Sequence, residues 1–226
     1  MPLSTVTRAE IELDIARALD RVNPNGTINS KFTDLIALWF ALAHRSIQRR
    51  RDFYCMQRTS YETIVVSTTA YAQPDDMKTP GLLYAFDATT GKTIHFYDGP
   101  TSMTTLRDRR HQSDARFGVN AAYTGRLYAI WNGNVEIDPV PESSIVGKRL
   151  QMDYHRWLPL PGQNAFDWFT TNGRDYLMYR ALIESIPILG ADARADTWKE
   201  YAKMAWSELI AHDVDATTGG ELVARG

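Results

Sequence analysis

Apolar residues recur along this chain with two different periods. Over roughly residues 7–51 and 164–211 they return every three or four positions, the spacing of one helix face, and between those stretches they alternate as on a half-buried strand. Thr7-Arg8-Ala9-Glu10 is a capping box, in which hydroxyl and carboxylate satisfy free amides of a first turn. Ile11, Ile15, Ala18 or Leu19, and Val22 then share one face until Asn23-Pro24-Asn25-Gly26. A second helix is predicted from Asn29 or Thr33 to Arg50, with Ile36, Trp39, Phe40, Ala43 and Ile47 in one stripe. Its end carries Arg49-Arg50-Arg51, which complements the negative end of the helix dipole.

From Tyr61 the period becomes two. Thr63-Ile-Val-Val-Ser-Thr reads as a strand, and Leu83–Asp87 with Lys92–Tyr97 as a hairpin turning near Gly91. Asn132-Gly133 marks a second hairpin between Leu127–Trp131 and Val135–Asp138. Ser102 to Arg110 reads as a short helix, and Lys148 to Trp157 as a further strand. After Pro159-Leu-Pro161-Gly162 helix returns: a short segment from Asn164 to Phe169, then Asp175 to Ile186 ended by Pro187 and Gly190, then a helix with Trp198, Ala202, Ala205 and Leu209 on one stripe. In the middle of this set Arg180 and Glu184 sit one turn apart on an otherwise apolar helix, as a buried or interfacial pair would.

The expected fold is α+β. An antiparallel or orthogonal helical bundle of residues 1–58 and 158–212 carries a small antiparallel sheet of about five or six strands in 59–157, and 213–226 form a flexible tail.

Composition narrows the function. Lys+Arg 25 against Asp+Glu 27 gives a net charge of −2, with 44% hydrophobic residues, an ordinary globular balance with no bias toward nucleic acid or anionic membrane. The single Cys55 excludes an internal disulfide and any multi-cysteine metal site. Neither a signal peptide nor a stretch of about 18 apolar residues is present, so synthesis in the cytoplasm is expected. The five histidines, His44, His95, His111, His155 and His212, have no ligand spacing, and no phosphate-binding loop or nucleophile elbow occurs. Neither catalytic nor metal residues nor a cofactor are therefore assigned. Asp75-Asp76 after Pro74 reads as a solvated turn, and the aromatic set Trp157, Phe166, Trp168, Phe169 and Tyr176 as core in preference to a sugar platform. Arg49, Arg50 and Arg51, and the run Arg107, Arg109, Arg110, His111 and Arg116 broken by Asp108 and Asp114, suit either salt bridges or phosphate contact.

Several segments, in order, resemble the head-to-tail adaptor proteins of tailed bacteriophages, the ring proteins below the portal. Leu38-Trp39-Phe40 through Arg50-Arg51-Asp52-Phe53 is similar to that family's second helix and its Arg-x-Asp-Phe exit, and Tyr71-Ala-Gln-Pro74-Asp-Asp76-Met77 to its Tyr-x-Leu-Pro-x-Asp-Leu turn. Gly81 to Tyr97 followed by Ser102–Leu106 resembles the hairpin and short helix after it, and Asn134 to Pro141 the Leu-x-Leu-x-Pro-x-Pro strand end. Tyr176 to Ser185 and Trp198-x-x-Tyr201 resemble the final helix pair.

The resemblance covers about residues 7–211 and implies a structural virion protein without catalysis. Such proteins form a closed ring, typically dodecameric, at the head-tail junction, bind the portal protein through C-terminal segments, face a tail tube or nozzle protein, and let double-stranded DNA pass. On that reading Trp206, Leu209, Ile210, Leu222 and Val223 contact the portal, while Arg49, Arg50, Arg51, Arg107, Arg109, Arg110, Arg180 and Glu184 belong to subunit interfaces or the DNA channel. A phage-associated hydrolase with paired carboxylates, or a carbohydrate-binding module on the sheet, are the alternatives.

Overall fold

Helix α1 (Arg8–Ala18) begins where its capping box requires: Thr7 accepts the Glu10 amide and the Glu10 carboxylate accepts the Thr7 amide at 2.7 Å. The computed structural model describes residues 5–113, 126–141, 143–190 and 192–218, and the chain divides into two compact units, Met1–Cys55 with Leu158–Gly226, and Met56–Trp157. Helix α1 stops at Ala18, short of Val22, because Asp20 adopts a positive φ of 56° and Val22 bridges to Ile28 across a small hairpin.

The first unit holds α1, α2 (Thr33–Arg50), α4 (Trp168–Asn172), α5 (Arg174–Leu189) and α6 (Ala195–Thr218). Helix α5 packs against all four others and buries Tyr176, Leu177, Ala181 and Leu182. It runs through Pro187 to Leu189, since a proline in the last turn removes only one late amide, and ends at Gly190 with φ 92°. The tail expected to be flexible from 213 is helical through Thr218, and Asp213 is buried, while residues 219–226 lie outside the described ones.

A buried polar seam joins the segment that returns at Leu158 to the helices before the excursion. The Gln48 amide donates to the Leu158 carbonyl at 3.2 Å and accepts the Leu158 amide at 2.7 Å, which fixes its orientation. Its second hydrogen points at His44 Nδ1, 3.1 Å away, so His44 donates from Nε2 to Asp167 at 2.7 Å. Asp167 in turn caps α4 by accepting the Thr170 amide at 2.7 Å. The first amides of α1 find acceptors in the same segment, Arg8 on the Ala165 carbonyl at 3.1 Å and Ala9 on that of Gln163 at 2.9 Å.

The second unit contains β1 (Gln57–Thr63), β2 (Ala70–Ala72), β3 (Met77–Asp87), β4 (Lys92–Thr101), α3 (Met103–Ser113), β5 (Leu127–Trp131), β6 (Asn134–Asp138) and β7 (Arg149–Arg156). The strands form one seven-stranded sheet in the order β1-β7-β3-β4-β5-β6-β2. One face buries Leu83, Ala85, Tyr97, Tyr128, Val135, Ile137, Leu150, Met152 and Tyr154 together. The Asn132-Gly133 turn has φ 50° and 74°, the mirror-image turn that matches strand twist. Strands β3 and β7 approach so closely at Gly81 that a Cβ there would overlap the Asp153 carbonyl. Burial and the nearby Asp76 carboxylate, which accepts the Tyr154 hydroxyl at 2.8 Å, push the Tyr154 phenol up to about 12.

This architecture overturns the expected bundle with a small antiparallel insert. The sheet is large and mixed: β4 and β5 run parallel, with α3 in the connection between them. Two strands escaped the pattern reading for a physical reason. β1 is an edge strand whose side chains are nearly all exposed, so it has no apolar alternation, and the apolar stretch after it, Ile64 to Ser67, turns instead, with Ser67 at φ 60°. β2 is three residues long and lies in what reads as a turn.

Gln48→Ala strips partners from both Leu158 backbone groups and from His44, so a fall of about 2–4 kcal/mol in unfolding free energy is expected. An unchanged urea midpoint would contradict it. Lys148 Nζ, 2.9 Å from Asp87, and the Thr89 amide hold the Asp87 carboxyl at about 2, below its ordinary 3.8. The folded value is the lower one, so the stabilisation is complete above pH 3.8 and is lost as the pH falls through about 2. A carboxyl-detected NMR titration should show that midpoint, moving up toward 3.8 in Lys148→Met.

Candidate interaction surfaces

Among the described residues no group of three or more His, Cys, Asp or Glu is arranged to hold a metal, and no helix is long and apolar enough to cross a membrane. His44 is committed to the polar seam. Among the described residues, the first unit has an open, mainly polar cleft of about 280 Å³ between the end of α5 and the start of α6, and another of about 250 Å³ at the start of α5. Surfaces for contact are the better developed feature.

The exit of α2 forms the first of these. Phe53 is fully buried and meets Trp168, Phe169 and Trp206 at ring distances of 5.7, 5.1 and 5.9 Å, while Tyr176 meets Trp206 at 5.1 Å. The Arg50 guanidinium lies over both Trp206 and Tyr176, at 5.5 and 5.9 Å. Arg51 pairs with Asp213 at 3.0 Å, and the same carboxylate accepts the Tyr54 amide at 2.7 Å. Most of the aromatic set weighed as a sugar platform is thus core: Phe169 and Tyr176 are buried and Trp168 packs on Phe53, whereas Phe166 is exposed and Trp157 belongs to the other unit under Lys78.

The residues assigned to the portal and to the channel fall in different environments. Leu209 is fully buried, Trp206 and Ile210 are partly covered, and Leu222 and Val223 lie outside the described residues. Arg49 is exposed. Arg107 lies 6.0 Å from the Trp131 ring and Arg109 pairs with the buried Asp138 at 3.1 Å. Arg110, like His111 and Arg116, has no described side chain. Arg180 and Glu184 bond one another along α5 with about a quarter of each side chain exposed, so the pair is neither fully buried nor solvated.

Two surfaces were missed by reading single stripes. Opposite its buried face, α2 exposes Leu38 (47%) and Leu42 (44%), and α6 exposes Met204 (61%) and Val214 (45%). The signal was present: apolar residues on both sides of a helix mean a second partner or a buried position. On the sheet, Tyr61, Gln151, Tyr84 and Phe96 stand side by side across β1, β7, β3 and β4 on the face away from the core. Tyr61 and Phe96 are 62% and 60% exposed, and Arg149 stacks on Tyr61 at 4.6 Å.

In comparison with known families, the chain matches the model of the SU10 adaptor protein family over residues 6–224. No curated protein matches the chain.

Because Arg180 and Glu184 are partly exposed and one turn apart, Glu184→Ala should lower stability by less than about 1 kcal/mol. A loss of about 3–5 kcal/mol, the scale of a buried charge left alone, would place the pair in a dry environment.

Proposed function

The chain belongs to the SU10 adaptor protein family of phage head-to-tail adaptors, and from that premise we propose that it assembles into a ring, typically of twelve copies in such proteins, that joins the portal to the tail and lets double-stranded DNA pass. Membership makes it a structural component of the virion. The observation that carries the reading is the extent of the match, residues 6–224 of 226. It acts by contact, without catalysis and without a cofactor.

The features of the chain support this role physically. A ring needs two unlike faces on each subunit, so that contacts run head to tail around an axis and close. A net charge of −2 suits a channel along which DNA slides, because a strongly basic lumen would grip phosphates and release counterions. Arg49, Arg50 and Arg107 are exposed cations available to a subunit boundary or to the lumen. Arg51 and Arg109 are committed to Asp213 and Asp138, and act there by holding the subunit's own shape.

The portal is bound in this proposal by the segment after α6, with Leu222 and Val223 as its apolar anchors and Gly219-Gly220 as its bend. Trp206 and Ile210 support the base of that segment, and Leu209 contributes by keeping α6 seated. A tail tube or nozzle protein takes the opposite side of the ring.

Truncation has to spare Asp213, whose carboxylate holds Arg51 and Tyr54. Deleting residues 219–226 should leave the thermal melt of the isolated protein within about 1 °C, because a terminal segment with Gly219-Gly220 and a lone apolar pair at Leu222-Val223 has too little to pack by itself. The same deletion should abolish attachment to purified portal-bearing heads, read by co-sedimentation. Heads that still acquire the shortened protein would exclude this segment as the portal anchor.

A further inference from the structure

The outward faces of α2 and α6 are unlike each other and complementary. On α2, Leu38, Leu42, Arg45 and Arg49 follow at intervals of four, three and four residues, which sets them in one stripe on the side opposite buried Ile36, Trp39, Phe40, Ala43 and Ile47. All four are exposed. On α6, Glu200, Met204, Glu208, Ala211 and Asp215 form the corresponding stripe, opposite buried Trp198, Ala202, Ala205, Leu209 and Asp213. All five are exposed, with Lys203 at the margin. One stripe is two leucines and two guanidiniums, headed by Asp34 a turn earlier, and the other is methionine and alanine among three carboxylates.

We propose that these two stripes are the two halves of one contact between neighbouring copies of this chain: the α2 stripe of one subunit seats on the α6 stripe of the next. The inference rests on the ring reading above and says which surfaces close it. Charge decides the partner. Pairing α6 with α6 would oppose carboxylates in either direction, and pairing α2 with α2 in parallel would set Arg45 and Arg49 of two copies against each other, so the unlike pairing alone sets both arginines against carboxylates. The unlike pairing sets Leu38 and Leu42 on Met204 and Ala211 while the arginines face Glu208 and Asp215. A contact between two different patches is head to tail, and repeats around an axis to give a ring when its rotation closes. Leu38 to Arg49 on α2 and Met204 to Asp215 on α6 each rise over eleven residues of helix, about 16 Å, with the same four-three-four spacing, so these parts of the two stripes match in length.

The test uses the full-length protein in native mass spectrometry and sedimentation velocity over a range of concentrations. Arg45→Glu with Arg49→Glu, and separately Glu208→Arg with Asp215→Arg, should each weaken self-association at least about tenfold, and all four changes in one chain should restore it. A second readout works on the assembled state: in a Cys55→Ser background, Leu42→Cys with Ala211→Cys should give a ladder of covalent multimers on oxidation, whereas Leu42→Cys alone should give none. Charge-reversed chains that assemble as the parent does would overturn the assignment and leave the ring reading intact, as would dimers from Leu42→Cys alone. If the unaltered protein stays monomeric throughout, and no ladder forms from the paired cysteines on portal-bearing heads, the ring falls and this contact with it.

Discussion

Everything in the helical unit depends on holding together two stretches of chain that are separated by the whole sheet. Met56–Trp157 interrupts that unit, and the antiparallel pairing of β1 with β7, which sets Gln57 opposite His155, already brings the two ends of the interruption together. Apolar packing of α5 against its neighbours buries the core of the helical unit, but packing is non-directional and does not set register. Register comes from the buried polar seam. Gln48 grips Leu158 from both its amide and its carbonyl, His44 grips Asp167, and the start of α1 is capped by carbonyls of Gln163 and Ala165. On the leaving side Asp213 does the same for Arg51 and Tyr54. Each of these groups would be costly to leave unpaired, so alternative docking of the returning segment is penalised more heavily than the bonds themselves stabilise.

How much of this was legible follows from what each element shows to solvent. The capping box at Thr7, the buried stripe of α2 and the Asn132-Gly133 hairpin rest on local chemistry, and each lies where the residues put it. The sheet was underread because its two edges are its least typical strands: β1 exposes almost every side chain, and β2 is too short to show a period. The parallel pairing of β4 with β5 joins strands on either side of α3, and nothing in local spacing encodes it. The seam had a faint signal. His44 and Gln48 fall on the apolar stripe of α2, one turn apart, and a polar residue at a core position means a buried partner.

The candidate contact residues divide in the same way. A run of arginines is visible in sequence, but the carboxylates that occupy Arg51 and Arg109 are Asp213 and Asp138, and the first of these lies at the far end of the chain. Charge counted along the chain therefore overstates the cations offered to a partner. Leu38 and Leu42 were hidden for the opposite reason, since α2 is apolar enough that one more leucine pair reads as core.

The proposed contact between α2 and α6 also bears on when assembly happens. Two exposed leucines against a methionine and an alanine are a small apolar patch, and the arginines and carboxylates around it keep each isolated face wetted. Such a contact is weak for a pair of free subunits, because association must first overcome the loss of translational and rotational freedom. On a portal the balance changes. If subunits are anchored through their C-terminal segments as proposed, they sit beside one another there, so each α2–α6 contact would form at the high effective concentration of an intramolecular event, and the last one would close the proposed ring. In the proposed assembly, weakness of the single interface would serve its order: subunits that pair only weakly in solution would close a ring only on the portal.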